Sequence, residues 1–177
     1  MGGLQVVMLG SGHPHLEHAM VGAEKDHPDF FRGIVKFSEP LAHQILAAAD
    51  ILLMPSRFEP CGLNQMHAMR YGTVPVAHAT GGLQDTILDI SPFAEGGMAH
   101  GNGWTFTPAS DKALVAAVRS AVEVYREQPA RWRDIQRSGM TTDWGWSRAA
   151  ELYETVIRCT LAAQDCAEKP PRGVTAA

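Results

Sequence analysis

The sequence of 177 residues allows one domain of ordinary size with its own hydrophobic core. A hydrophobic content of 45% with 19% charged residues is typical of a globular protein, and no run of 18 apolar residues predicts a membrane span. The net charge of -4 argues against a nucleic-acid partner, which would require a basic surface.

The first third of the chain alternates apolar runs with helical patterns. Strands are predicted at Leu4–Leu9 and Gly33–Phe37, and helices at His15–Lys25 and Glu39–Ala48. Ser38 can cap the second helix. The glycines of Gly10-Ser11-Gly12 fit either a tight turn or a nucleotide-binding turn, since no third glycine completes a dinucleotide motif.

Residues 50–88 repeat a strand–loop–helix unit. The predicted elements are a strand Ile51–Met54, a polar loop Ser56–Pro60, a helix Cys61–Tyr71 that ends at Gly72, a strand Val74–Ala77, and a helical turn Leu83–Leu88. Such a repeat favours a parallel sheet, with both loops at the carboxyl ends of their strands. Ligands of open α/β sheets bind at that edge.

The residue types in these two loops suit an anionic ligand that also carries a sugar. Helices beginning at Gly62 and just after Gly81-Gly82 would direct free backbone N–H groups into one crevice, as a diphosphate requires. Glu59 would repel a phosphate. It fits better as a partner for the hydroxyls of an attached sugar.

The rest of the chain is predicted to be mainly helical. Ser91–Gly103 reads as a loop and Gly103–Phe106 as a last strand; helices follow at Asp111–Arg126, Pro129–Met140 and Ser147–Leu161. This predicts a domain over residues 1–161 and a disordered tail over 162–177, which is polar and contains Pro170-Pro171.

The stretch SRFEPCGLNQMHAMRYGTVPVAHATGGLQDT resembles the carboxy-terminal nucleotide-binding half of starch and glycogen synthases, which are retaining glucosyltransferases of the GT-B fold. EPCGL, AMRYGTVPV and TGGL occur in order at the spacing of that family, and the resemblance extends from about Leu4 to about Ile157. Asn64 and Met69-Arg70-Tyr71 look more like plant and algal plastid enzymes than bacterial ones. The resemblance implies an α/β fold, a Rossmann-like parallel sheet with helices on both faces.

By this resemblance, the complete enzyme transfers glucose from ADP-glucose to the non-reducing end of an α-1,4-glucan with retention. The implied catalytic residues are Glu59 and Cys61, which contact the glucose. The implied donor nucleotide and phosphate contacts are Phe37, which stacks on the adenine, the backbone of Gly62, Leu63 and Asn64 at the distal phosphate, and Gly81 and Gly82, which let backbone approach sugar or phosphate. Neither a cofactor nor a metal is implied. His13, His15 and His18 are interpreted as a polar helix start rather than a metal site.

The resemblance also marks what this sequence does not contain. The synthases have an amino-terminal domain for the α-glucan acceptor with a KTGGL motif, and an Arg and a Lys that neutralise the donor phosphates. Both would precede Met1, as would the first strand of the sheet. We therefore expect the chain to be a fragment, inactive alone, from a plastid enzyme whose targeting peptide lies outside it. Three cysteines, Cys61, Cys159 and Cys166, form no disulfide framework and fit a reducing compartment.

Two other functions stay open at this point. One is a GT-B glycosyltransferase that uses UDP-glucose, such as a sucrose-synthase-like enzyme. The other is a catalytically inactive module that binds a nucleotide sugar. Donor competition between ADP and UDP separates the first from a starch synthase, and binding of ADP without transfer would support the second.

Overall fold

The computed structural model describes residues 3–90 and 101–168. They belong to two compact units, Met1–Thr141 and Thr142–Ala177. The predicted loop over residues 91–100 and the last nine residues of the predicted tail lie outside the described residues. In the described part, no helix combines the length and the hydropathy that a membrane span needs.

The first unit alternates five strands with helices. The strands are β1 (Val6–Gly10), β2 (Phe31–Val35), β3 (Ile51–Met54), β4 (Val74–His78) and β5 (Trp104–Phe106). The helices are α1 (Pro14–Asp26), α2 (Glu39–Ala48), α3 (Asn64–Tyr71), α4 (Gly81–Thr86), α5 (Asp111–Glu127) and α6 (Pro129–Thr141). The predicted cap of α2 is confirmed, because Ser38 Oγ accepts from Leu41 N at 3.4 Å. Ser110 caps α5 in the same way, and its Oγ accepts from Ala113 N at 3.2 Å.

All strand pairs are parallel, which confirms the predicted α/β class. β1 pairs with β2 in one sheet, and a second sheet has the order β3-β4-β5. Helices connect the successive strands, as parallel pairing requires. The carboxyl ends of β3 and β4 therefore lie at one edge of the second sheet.

Strand β1 is unusually exposed for a parallel strand. Its Val6, Val7 and Met8 are 40%, 48% and 54% exposed, whereas β4 is buried from Val74 to Ala77. Consecutive residues point to opposite faces, so both faces of β1 contact solvent. Among the described residues β1 pairs only with β2, and β3 only with β4. Each of these two strands thus has one edge that is unpaired within the described residues, and β1 does not pair with β3.

The main core lies where α5 and α6 pack against β4 and β5. Its buried residues are Val74, Val76, Ile90, Trp104, Phe106, Ala121, Val124, Trp132 and Ile135. The Trp104 and Trp132 rings stack with centroids 5.9 Å apart. A smaller cluster of Met54, Ala77, Leu83 and Ile87 fills the other face, so helices cover both sides of the second sheet.

Polar contacts fix the helices around β4. The Thr73 hydroxyl donates to Ala49 O at 2.9 Å and also contacts Leu46 O, which ties the end of α2 to the start of β4. Gly72, at φ 84°, ends α3 as predicted and accepts from Gln136 Nε2 at 2.7 Å. These bonds set the direction in which α3 leaves the loop after β3.

The described part of the second unit contains one long helix, α7 (Trp146–Glu168). It begins one residue before the predicted start and continues seven residues past the predicted end at Leu161, so residues 162–168 are helical. One set of apolar side chains on this helix is solvent-exposed: Leu152, Tyr153, Val156, Ile157 and Leu161. These apolar side chains therefore lie on the surface of the helix.

Candidate functional site

The candidate site lies at the carboxyl edge of the β3-β4-β5 sheet. The segment after β3 runs from Pro55 to Leu63 and contains Glu59, Cys61 and Gly62. The segment after β4 leads within three residues to Gly81 and Gly82. Because β3 and β4 are parallel neighbours, both segments emerge side by side, as the sequence predicted.

The two segments are in direct backbone contact. Gly82 N donates to Glu59 O at 3.0 Å. A Cβ added to Gly81 would overlap the Glu59 carbonyl, and one added to Gly82 would overlap the Cys61 carbonyl. Protein backbone therefore occupies the space beside these two glycines, whereas the sequence analysis predicts sugar or phosphate there. Contact of these glycines with a ligand stays a prediction.

Helix α3 begins at Asn64, three residues later than predicted. Gly62 has φ 68°, a left-handed conformation that cannot belong to a helix, and a Cβ there would lie 2.6 Å from Gln65 Oε1. No side chain caps the helix at its N-cap residue, Leu63. The first-turn N–H groups, which have no intrahelical acceptor, can thus be offered to an anion.

The start of helix α4, beside the candidate site, also differs from the prediction. It begins at Gly81 rather than after the glycines. Two of its first N–H groups have protein acceptors, because Gly82 N donates to Glu59 O and Leu83 N to Thr80 O, at 3.0 and 3.1 Å. The prediction of two helices with free N–H groups at the crevice is therefore wrong for Gly82, and α3 is the better anion-binding end.

Glu59 and Cys61 have fixed backbones and accessible side chains. Glu59 O accepts from Gly82 N, and Cys61 O accepts from Gln65 Nε2 at 3.2 Å. The Glu59 residue is half-buried and Cys61 is exposed. Only side-chain rotation is left to place the carboxylate and the thiol, so both groups can turn toward a ligand at the start of α3.

Two positioning contacts were not predicted from the sequence. His78 Nδ1 lies 2.7 Å from Ser56 O and its ring packs beside Phe106, which fixes the base of the Glu59 loop to the end of β4. Gln65, fully buried, bonds to Cys61 O, Gly62 O and Thr86. A glutamine in the first turn of a polar helix gives no sequence signal of burial, because its partners are backbone atoms.

Phe37 lies on the other sheet. It follows the end of β2 by two residues, and 89% of its surface is exposed. Such exposure shows that Phe37 does not fill the core, and it leaves the ring face open for stacking. The structure brings together Glu59, Cys61, Gly62, Gly81 and Gly82, with Leu63 and Asn64 at the start of α3, whereas Phe37 follows a strand of the other sheet.

Comparison with known proteins identifies relatives of the whole described chain. The family model of glycosyl transferases group 1 matches residues 34–138. The chain is 53% identical over 155 residues to "Starch synthase 1, chloroplastic/amyloplastic" of Arabidopsis thaliana and 52% identical over 154 residues to "Soluble starch synthase 2-2, chloroplastic/amyloplastic" of Oryza sativa subsp. japonica. These matches cover 88% and 87% of the chain but 24% and 22% of the relatives, so the chain spans about a quarter of their length.

A solved structure shows the same fold. The catalytic domain of starch synthase IV from Arabidopsis thaliana, bound to ADP and acarbose, matches with a TM-score of 0.78 and 35% identity over 89% of this chain and 32% of that one. A sucrose-phosphate synthase from Thermosynechococcus elongatus matches with a TM-score of 0.62 at 23% identity. The second likeness supports the fold alone, and the first confirms the predicted Rossmann-like half of a GT-B fold.

Proposed function

This chain belongs to the glycosyl transferases group 1 family, and we propose that it is the donor-binding part of a starch synthase. In that enzyme, glucose moves from ADP-glucose to the non-reducing end of an α-1,4-glucan with retention. One observation carries the proposal: the uncapped start of α3 lies directly after a loop that presents Glu59 and Cys61. The similarity to plant starch synthases supports the choice of reaction.

In the proposed site, backbone N–H groups bind the diphosphate of the donor and side chains bind its sugar. The diphosphate lies at the N–H groups of Leu63 and Asn64, where the positive end of the helix dipole favours negative charge. The glucose lies beside the Glu59 carboxylate and the Cys61 thiol, with Glu59 accepting hydrogen bonds from sugar hydroxyls. Gly62, in its left-handed conformation, lets the chain turn between the two.

The proposed chemistry breaks the bond between the glucose anomeric carbon and the diphosphate oxygen. A hydroxyl oxygen of the glucan forms the new bond on the same face of the sugar. ADP leaves with the electron pair of the broken bond, and the hydroxyl proton passes to the leaving diphosphate. The chain's contribution is to stabilise the charge that develops on the leaving phosphate and to orient the sugar. The proposal does not include a resident metal or cofactor held by this chain.

Phe37 supports the choice of a nucleotide as the carrier of that phosphate. An exposed aromatic ring at the carboxyl end of β2 offers a stacking surface for the base. Stacking alone does not distinguish adenine from uracil. The preference for ADP is supported by the ligand named with the starch synthase IV structure and by the similarity to starch synthases.

Calorimetric titration of ADP, and separately of UDP, into the 177-residue chain tests the proposed site. We expect ADP to bind more tightly than UDP. Tighter binding of UDP would favour another group 1 glycosyltransferase, and no binding of either nucleotide would contradict the donor site. Inorganic diphosphate is the control that separates recognition of the base from recognition of the phosphates.

A transfer assay tests whether this chain alone can transfer glucose from the donor to a glucan. The chain spans about a quarter of its starch synthase relatives. We therefore expect radiolabelled ADP-glucose, glycogen and the purified chain to give no incorporation above a blank without protein. Measurable incorporation would show that acceptor binding and catalysis both reside in these residues. The starch synthases themselves are named chloroplastic or amyloplastic, which supports a plastid location for the enzyme.

A further inference from the structure

Gln65 is a buried amide behind the candidate site. Its side chain is 0% exposed in the first turn of α3. Its Nε2 lies 2.9 Å from Gly62 O, 3.2 Å from Cys61 O and 3.1 Å from Thr86 Oγ1. All three atoms are acceptors that share the two hydrogens of the amide NH₂ group, so the side chain connects the loop after β3 with the end of α4.

Thr86 continues the connection into the second loop. Its hydroxyl donates its single hydrogen to Gly82 O at 2.6 Å, so its oxygen is left to accept from Gln65. Gly82 N in turn donates to Glu59 O at 3.0 Å. Together with the backbone from Glu59 to Gln65, these hydrogen bonds close a ring through both site loops, which runs from Gln65 through Thr86 and Gly82 back to Glu59.

The orientation of the Gln65 amide is determined by this ring. Rotating the amide by 180° would place its oxygen against two backbone carbonyls, which would repel it. In the observed orientation, Oε1 is buried without a hydrogen-bond partner, the sole side-chain atom of that kind in the part of the chain that is described. An unpaired buried acceptor is unfavourable, so stability alone does not account for an amide at this position.

We propose that Gln65 and Thr86 are positioning residues that hold the start of α3 and the Gly81–Gly82 turn in one fixed arrangement. The inference rests on the proposed function, since it concerns the backbone that would receive the nucleotide diphosphate. Neither side chain contacts the ligand. Their effect is to order the two loops before binding, so that a nucleotide does not have to order them itself.

Isosteric substitutions in the 177-residue chain test the ring. Gln65→Met keeps the length of the side chain and removes the amide, and Thr86→Val keeps the shape and removes the hydroxyl. Thr86→Ser is the matched control, because it retains the hydroxyl that bonds to Gly82 O. Two quantities are measured in each variant and in the double variant: the ADP dissociation constant by calorimetry, and the hydrogen-exchange rate of the Gly82 amide without ligand.

We expect either single substitution to raise the ADP dissociation constant about fivefold, the factor that one net hydrogen bond supplies. The double variant should be no weaker than the single variants, because residues of one network do not act additively. Gly82 exchange should accelerate in the same variants and stay near wild type in Thr86→Ser.

Additive effects on binding, or unchanged Gly82 exchange in both single variants, would overturn the inference. Failure of the wild-type chain to bind ADP would contradict the proposed function, while Gly82 exchange would still decide whether the ring orders the loop. If Gln65→Met does not fold, Thr86→Val alone decides the question, because Thr86 is only half-buried.

Discussion

At the scale of single residues, the candidate site separates groups that face the ligand from groups that hold the backbone. Glu59 and Cys61 use their carbonyl oxygens to bind protein N–H groups, which leaves their side chains for other partners. Gly81 and Gly82 serve the contact between the two loops, because any Cβ there would overlap a carbonyl. Mutations of these two classes are therefore expected to act on different measured quantities.

Replacement of Glu59 by alanine in the complete enzyme should lower kcat much more than it raises KM. A carboxylate aligned with the transferred sugar matters most when the ring becomes cationic and its hydroxyls reorient. The loss in transition-state stabilisation should be about 3 kcal/mol, on the scale of one oxyanion-hole donor. Steady-state kinetics measure it, with Glu123→Ala on the exposed face of α5 as the control. A variant with normal kcat and only a raised KM would contradict the assignment.

Replacement of Phe37 by alanine should weaken ADP binding without reducing the melting temperature. The ring is 89% exposed, so its removal costs the fold little, whereas loss of a stacked base costs about 1–3 kcal/mol. Phe30→Ala is the matched control, because Phe30 precedes the other end of the same strand. Calorimetry and thermal melting of the chain measure the two quantities. Equal ADP affinities in the wild type and Phe37→Ala would remove the base-stacking role.

At the scale of the secondary-structure elements, the loop after β3 is held by a neighbouring strand. His78 ends β4, and its Nδ1 lies 2.7 Å from Ser56 O. A carbonyl oxygen only accepts, so Nδ1 carries the hydrogen in this contact. The loop that contains Glu59 is thus fastened at Ser56 by His78 and at Glu59 by Gly82.

Asparagine and glutamine at position 78 should differ in their effects. The amide nitrogen of His78→Asn can occupy the place of Nδ1 and donate to Ser56 O, whereas that of His78→Gln extends toward the place of Nε2. We expect His78→Gln to reduce the free energy of unfolding by about 1 kcal/mol more than His78→Asn, the net worth of one hydrogen bond. Urea denaturation of both variants measures the difference. The reverse ranking would show that the contact with Ser56 contributes nothing.

At the scale of the whole molecule, the two parallel sheets leave apolar surface exposed. Both faces of β1 contact solvent at Val6, Val7 and Met8, and Leu53 on β3 is 40% exposed. The edges of β1 and β3 that are unpaired among the described residues offer backbone groups to other strands. In the second unit, the apolar side chains of α7 are exposed as well.

The purified chain should therefore self-associate and melt over a broad range at low temperature. Val7→Lys should reduce the association, because a charge on an edge strand opposes pairing with a second copy. Gln5→Lys, which adds the same charge beside the strand, is the control. Sedimentation velocity at several concentrations and thermal melting measure the effect. A soluble monomer with a sharp cooperative transition would show that these residues form a complete domain.

The sequence by itself determined the elements and the place of the site. Continuous apolar runs predict buried strands at Ile51–Met54 and Val74–Ala77. The structure has β3 and β4 there, although only β4 is buried along that run. Ser38, Gly72 and Ser110 specify helix ends through local chemistry, which needs no knowledge of the rest of the fold. Parallel pairing then brings the two loops to one edge, so the site's location followed from connectivity.

The tertiary structure alone decided how the two loops are held. Helix α3 starts at Asn64 rather than at the predicted Cys61, because Gly62 adopts a left-handed conformation beside the buried Gln65 amide. The N–H group of Gly82 proved to be bonded to Glu59 O, across a separation of 23 residues, which no local pattern reveals. Periodicity and caps report interactions within a few residues of each other. Hydrogen bonds between loops depend on atoms that only the packing of β3, β4, α3 and α4 brings together.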